Sequence, residues 1–195
     1  MPEHVSNPIH GLFNNKSLRK IFIVLRVPLG VLFIFLLLTQ VEPDWFVPGL
    51  LVSVAGQLLQ LWCMSTIKTQ KKLTVTGPYM FVRNPMYLGR FLLVFGVVMM
   101  TANFLLLAAV ALVYYFYMVN RVKREERLLA GLFGEEYGAY CRDVRAYLPG
   151  MKRFNPAGLW SFNRESVVQN NVLTNIALPC VCYALLYVSM LFRAG

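Results

Sequence analysis

Two stretches of the chain carry residue types suited to chemistry. The first, 73–87, reads LTVTGPYMFVRNPMY, and the second, 117–134, reads YMVNRVKREERLLAGLFG. In the second, Arg121 and Glu125 stand four residues apart, which on a helix puts them one turn apart on one face. In the first, Thr76-Gly77-Pro78-Tyr79 is turn chemistry, since Gly tolerates positive φ and Pro fixes φ near −65°. Arg83-Asn84-Pro85 then sets a cation, an amide and a second rigid corner against the start of an apolar helix, and Asn84 is biased away from α geometry by the following proline. Both histidines, His4 and His10, lie near the N-terminus, and Cys63, Cys141, Cys180 and Cys182 match no zinc or redox spacing. A His-ligated metal or His base in the core is excluded unless the tail folds back, so no metal is expected. Any chemistry must come from Arg, Glu, Tyr, backbone groups and a bound cofactor. The plainer reading of the same residues is a membrane-interface segment plus an exposed Arg–Glu pair contributing about a few tenths of a kcal/mol.

These stretches need elements to hold them. The chain has 195 residues, 57% hydrophobic and only 14% charged, where soluble domains carry about a quarter. This composition defines an all-α, polytopic integral membrane protein with no room for a separate soluble domain. The net charge of +10 is explained by the positive-inside rule and anionic headgroups. No basic and aromatic pattern for nucleic acid is present.

Hydropathy predicts five apolar segments. A polar tail, 1–20, shows no cleavable signal pattern and leads into a first span at 21–39, and a second follows at 45–64. The segment 65–150 forms a core unit: a connection rich in turn residues, a third apolar segment at 87–100, a break at Thr101-Ala102-Asn103, and a fourth at 104–118. A break this short predicts a tight antiparallel hairpin that need not cross the bilayer fully. The fourth segment runs on into water as a charged helix ending near Gly134. A short helix follows at 135–143, and Pro149-Gly150 closes the unit. The stretch 151–171 is amphipathic and aromatic, suited to the interface, and 172–195 holds the last span, with Pro179 expected to kink it. Lys and Arg cluster in the tail, in 65–86 and in 120–171, and are absent from 40–44. With five segments this places the N-terminus and both special stretches in the cytoplasm and the C-terminus on the opposite side.

Taken together and in order, Gly77-Pro78-Tyr79, Arg83-Asn84-Pro85-Met86-Tyr87, Glu125-Glu126, Phe133-Gly134-Glu135-Glu136-Tyr137, Tyr140, Val144 and Pro149 resemble the isoprenylcysteine carboxyl methyltransferase family, which is related to the phospholipid N-methyltransferases. The likeness covers roughly 73–149 and suits a short prokaryotic member. One departure stands out: Asn84 occupies the place where the family usually has His. Asn can hydrogen-bond there but cannot titrate.

The resemblance implies methyl transfer from S-adenosylmethionine to the C-terminal carboxylate of a prenylated cysteine, or of another lipid-like acid, with S-adenosylhomocysteine as product. Carried over by position, cofactor contacts fall on Lys71, Lys72, Leu73, Thr74, Tyr79, Asn84, Pro85, Met86, Tyr87 and Glu125. Arg121 holds the substrate carboxylate, and Arg121 with Glu125 forms the catalytic pair. Arg83 matches the motif without an assigned role. Glu125 is preferred to Glu126, which lies about 100° around the helix. The cofactor is expected from the cytoplasm and the lipid tail from the bilayer. A phospholipid N-methyltransferase is the nearest alternative. A reductase of unsaturated sterol-like lipids is more remote, and a non-enzymatic membrane subunit that keeps the fold is the reading from another class.

Overall fold

A computed structural model of the protein describes residues 28, 30, 33, 35–67, 72–162 and 164–194. The expected tail at 1–20 and much of the expected first span lie outside these residues; within the span, residues 28, 30, 33 and 35–38 are helical. The chain divides into two compact units, Met1–Gln40 and Val41–Gly195, and everything that follows belongs to the second.

That unit is helical throughout its regular structure: α1 (Pro43–Thr66), α2 (Pro85–Met99), α3 (Phe104–Asp143), the short α4 (Arg164–Gln169) and α5 (Val172–Ala194). Single 3-10 turns occur at Gly77–Met80 and Pro156–Gly158. Three helices are long and apolar enough to cross a membrane, namely α1, α3 and α5, while α2 is shorter. The local signals account for the boundaries. Pro43 opens α1 with Asp44 in its first turn, and Pro85 opens α2 behind the non-helical Asn84 (φ −123, ψ 53). Asn103 caps α3, its side chain accepting from the Leu106 amide at 2.9 Å. Only four residues, Met100–Asn103, separate α2 from α3, with Ala102 at φ 51, so the expected tight hairpin forms.

From Phe104 to Phe133 α3 runs about 45 Å at 1.5 Å per residue, and a shorter arm follows Gly134. Its first stretch, through Asn120, is uncharged, and the rest is strongly charged. Gly134 (φ 49, ψ −120) interrupts it, a conformation that side-chain-bearing residues adopt reluctantly. The two helices expected at 121–132 and 135–143 are thus both present, the first continuous with the fourth apolar segment and the second set off by the kink at Gly134. Helix α5 continues through Pro179.

Small residues let α1 and α2 pack with backbones in contact. A Cβ on Gly96 would lie 2.5 Å from the Gly49 carbonyl, and one on Gly56 would lie 2.6 Å from that of Gly89. Ser53, fully buried, donates to the Leu93 carbonyl at 2.8 Å and shares a 2.8 Å hydrogen bond with Tyr183 of α5. Gln57 donates to the Asn175 carbonyl at 2.7 Å. These bonds fasten α2 and α5 to α1.

The segment after α3 turns back beneath the hairpin. The Arg83 amide donates to the Arg145 carbonyl and the Gly150 amide to the Phe81 carbonyl, each at 2.9 Å. Asp143 accepts from Lys152 at 2.8 Å and Arg153 at 3.1 Å. These two partners hold its carboxyl below the ordinary carboxylate range. The stretch from Leu148 to Phe162 exposes Leu148, Met151, Phe154, Trp160 and Phe162.

Candidate active site

The two stretches singled out by residue type meet. Asn84 and Pro85 start α2 so that Tyr87, on its first turn, reaches the charged part of α3. The Tyr87 hydroxyl donates to Glu125 Oε1 at 2.7 Å. Arg121 Nε donates to the same carboxylate oxygen at 3.0 Å and to the Tyr87 hydroxyl at 3.3 Å. Tyr114 fixes this end of α2 from below, donating to the Tyr87 carbonyl at 2.8 Å. Arg121 and Glu125 remain partly exposed, at 48% and 38% of their side-chain surface. As an ion pair they therefore contribute little to stability, and their arrangement is of interest for what it holds.

A second cluster was not legible in the sequence. Glu126, turned away from Glu125, faces Arg83 Nη2 at 3.6 Å and accepts from Asn84 Nδ2 at 3.3 Å. Asn84 Nδ2 also lies 3.3 Å from the Ala146 carbonyl. Arg83 Nη1 donates to the Cys141 sulfur, and Arg83 Nε is buried with no partner among the described residues. The sequence signals for this cluster are the Arg83-Asn84 pair and the adjacent Glu125-Glu126 pair, neither of which says that they meet.

Two cavities flank these clusters along α3. One, of about 310 Å³, is apolar and is lined by Leu88 and Phe91 of α2, by Ala111, Tyr114, Tyr115 and Met118 of α3, and by Asn84 and Tyr147. The other, of about 290 Å³, is lined by Lys72, Leu73, Thr74, Tyr79 and Arg83 on one side and Leu129, Phe133, Tyr137 and Tyr140 on the other. The Tyr140 hydroxyl donates to the Tyr79 carbonyl at 2.7 Å. Burial above all raises the Tyr79 and Tyr140 phenols above their ordinary range, so both stay neutral. Tyr140→Phe leaves a buried carbonyl without its donor and is expected to cost about 1–3 kcal/mol, seen as a lower melting temperature in detergent.

Of the residues placed by resemblance, Lys72, Leu73, Thr74 and Tyr79 share the second cavity, and Tyr87, Arg121 and Glu125 form the hydrogen-bonded triad. Asn84 faces Glu126 and the apolar cavity instead. Pro85 is buried, and Pro85 and Met86 line neither cavity. Lys71 lies outside the described residues.

The second cavity carries two cations, Lys72 and Arg83, together with aromatic walls. Arg83 faces Glu126 and keeps one buried nitrogen with no acceptor among the described residues. Such a donor set would suit a ligand with a carboxylate and a purine.

The fold and site define a helical membrane protein whose polar cluster joins an apolar cavity to an aromatic one. The profile of the family described as phospholipid methyltransferase matches residues 45–136. The chain is 30% identical over 154 residues to the nickel-cobalt-cadmium resistance protein NccN of Alcaligenes xylosoxydans xylosoxydans, covering 74% of this chain and 72% of that one. It is 28% identical over 134 residues to the cobalt-zinc-cadmium resistance protein CzcN of Cupriavidus metallidurans, covering 68% of this chain and 62% of that protein's length. It is 29% identical over 128 residues to a probable protein-S-isoprenylcysteine O-methyltransferase of Oryza sativa subsp. indica, covering 58% and 67%. No solved structure matches. The chain belongs to the membrane methyltransferase family that unites the phospholipid and isoprenylcysteine methyltransferases.

Proposed function

We propose that the protein transfers a methyl group from S-adenosylmethionine to the carboxylate of a prenylated cysteine or a closely similar lipid acid, giving the methyl ester. One observation supports this reading above the others. The single helix α3 carries in succession an apolar cavity at 111–118, the Arg121–Glu125 pair and an aromatic, cation-lined cavity at 129–140. A lipid tail, an acid group and a polar cofactor need that order of surroundings.

When bound, S-adenosylmethionine supplies a methyl group already activated as a sulfonium, so the protein's task is alignment and exclusion of water. Lys72, Leu73, Thr74, Tyr79 and Arg83 would hold it against Phe133, Tyr137 and Tyr140. Arg121 presents a planar fork to the substrate carboxylate and can bind both oxygens. Glu125 and Tyr87 fix that fork through Nε, leaving its terminal nitrogens for the substrate. A carboxylate is ionised at neutral pH and needs no general base, so Asn84 in place of a titratable side chain does not impair the step. The apolar cavity takes the part of the tail nearest the head, each buried CH₂ adding about 0.8 kcal/mol.

This reading includes five membrane segments, with the N-terminus and the site on the cytoplasmic side. The family description favours a second reading, in which an amine of a phospholipid accepts the methyl group. Such a nucleophile must lose a proton before it attacks, which a carboxylate need not do.

The test is calorimetric binding of S-adenosylhomocysteine to detergent-purified protein, followed by a methylation assay on farnesylcysteine and on phosphatidylethanolamine. Saturable binding weakened by Glu125→Ala and Tyr87→Ala, with turnover of the acid alone, supports the proposal. Turnover of the amine alone selects the second reading. Absence of binding in folded protein removes both and leaves a membrane subunit without this activity. Ala111→Trp fills the apolar cavity. It is expected to reduce lipid turnover at least tenfold or so while S-adenosylhomocysteine binds as before. Loss of both together would overturn the assignment of that cavity to the tail.

A further inference from the structure

Helix α2 holds a single charged residue, Arg90, in an otherwise uncharged sequence. A guanidinium on a helix facing hydrocarbon is retained at a cost, and such residues commonly mark a functional site. Arg90 is exposed, and its Cζ lies 5.8 Å from the centre of the Tyr87 ring. It meets no carboxylate among the described residues, because Glu126 faces Arg83 and Glu125 faces Arg121. Tyr87 thus orients two guanidinium groups, Arg90 by its ring face and Arg121 by its hydroxyl. The Nε of Arg121 is committed to Tyr87 and Glu125, and its two terminal nitrogens have no partner among the described residues. Around this tyrosine and the neighbouring Asn84, three arginines, Arg83, Arg90 and Arg121, meet two glutamates. One positive charge remains over, and Arg90, which carries it, is exposed.

We infer that Arg90 is a specificity-determining residue: with the terminal nitrogens of Arg121 it forms a cationic seat, ordered by the Tyr87 ring, for the acid group of a lipid-tailed substrate. The inference rests on the reading of the substrate as a lipid acid. An oxyanion neutralises the leftover charge and can bond to both forks. An ammonium headgroup meets like charge there and is repelled. The seat therefore favours acids over amines before any chemistry occurs. The same oxyanion chemistry is offered by the phosphate of an anionic phospholipid, so the test must separate the two.

The experiment compares binding of N-acetyl-S-farnesylcysteine and of its methyl ester to wild type, Arg90→Gln and Arg90→Lys. The full-length protein is held in phosphatidylcholine nanodiscs, and methyl transfer is measured on the same samples. Wild type is expected to prefer the acid about a hundredfold, Arg121 and Arg90 each supplying about tenfold, the worth of one charge-assisted hydrogen bond. Arg90→Gln is expected to lower that preference to about tenfold, the share left to Arg121, while Arg90→Lys keeps most of it because charge is conserved. An unchanged preference in Arg90→Gln, or none in wild type, overturns the seat. A parallel set of nanodiscs containing phosphatidylglycerol identifies the other source. If Arg90→Gln loses only its enrichment of that lipid, with the acid preference intact, the site holds a membrane phosphate and the inference fails. Because binding is read without turnover, an Arg90-dependent acid preference with no methyl transfer supports the seat and removes the catalytic reading. Turnover with an unchanged preference in Arg90→Gln does the reverse.

Discussion

Arg121→Ala is expected to lower methyl transfer to a prenylcysteine acid at least about a hundredfold and to leave S-adenosylhomocysteine affinity within about twofold. The first effect combines the loss of a two-pronged, charge-assisted contact, about 1.5–3 kcal/mol, with the loss of alignment at the reacting oxygen. The second follows from position: the terminal nitrogens of Arg121 have no partner among the described residues, and Arg121 is not among the residues lining the aromatic cavity. Glu125→Ala should differ. It removes the acceptor shared by Arg121 and Tyr87, and by the family resemblance Glu125 and Tyr87 are themselves cofactor contacts, so both turnover and cofactor affinity should fall. Single-turnover kinetics beside calorimetry on the two variants separates them. If Arg121→Ala lost cofactor binding as severely as turnover, the division of labour along α3 would be wrong.

Gly96→Leu should be the most damaging single change to the fold. Even a Cβ at this position would meet the Gly49 carbonyl at 2.5 Å and Ser53 Cα at 2.8 Å. Those are backbone atoms that cannot step aside without separating the helices. Forced separation also takes Ser53 from its bond to the Leu93 carbonyl and strains its bond to Tyr183. A loss of about 3 kcal/mol or more is expected, measured as a fall in melting temperature or as failure to yield monodisperse protein. Gly131→Ala is the control. No atom lies within 4 Å of a Cβ there, and alanine favours an exposed helix over glycine by up to about 1 kcal/mol, so the variant should be as stable as wild type or slightly more so. Equal damage from the two would show that the close seam does not govern stability.

What was legible in the sequence was what is local. Asn103 and Pro85 announced helix starts, Gly134 announced a break, and the i, i+4 spacing of Arg121 and Glu125 announced a shared face. The meeting of Tyr87 with Glu125 was reachable only because motifs at both ends pointed to one family. The rest depends on partners far apart in the chain. Nothing near Glu126 says that it answers Arg83 and Asn84, some forty residues earlier, and nothing near Arg145 says that its carbonyl receives the Arg83 amide. The glycine seam was equally silent. Gly49, Gly56, Gly89 and Gly96 read as scattered small residues until two helices are laid side by side. Asn84, Pro85 and Met86, which the motif groups with Tyr87, do not line the aromatic cavity; a contiguous motif does not place every member on one surface.

The hairpin has one further consequence. Helix α2 has 15 residues, about 22 Å, and the uncharged part of α3 reaches about 25 Å, against roughly 30 Å of hydrocarbon in an ordinary bilayer. Its neighbour α1, with 24 residues, is long enough to cross fully. A helix shorter than the hydrocarbon gains nothing by tilting, and α2 is held to the full-length α1 along a rigid seam, so a bilayer around them would thin beside α2. The dimple falls at the foot of the hairpin, where Tyr87, Arg90 and Arg121 lie. In a bilayer thinned there, water and lipid headgroups would reach down to these residues, and a molecule diffusing in the leaflet would meet them at the depth of its own polar end. Bilayer thickness thereby becomes a component of the site, and lipid chain length a variable that sets how readily the protein is supplied.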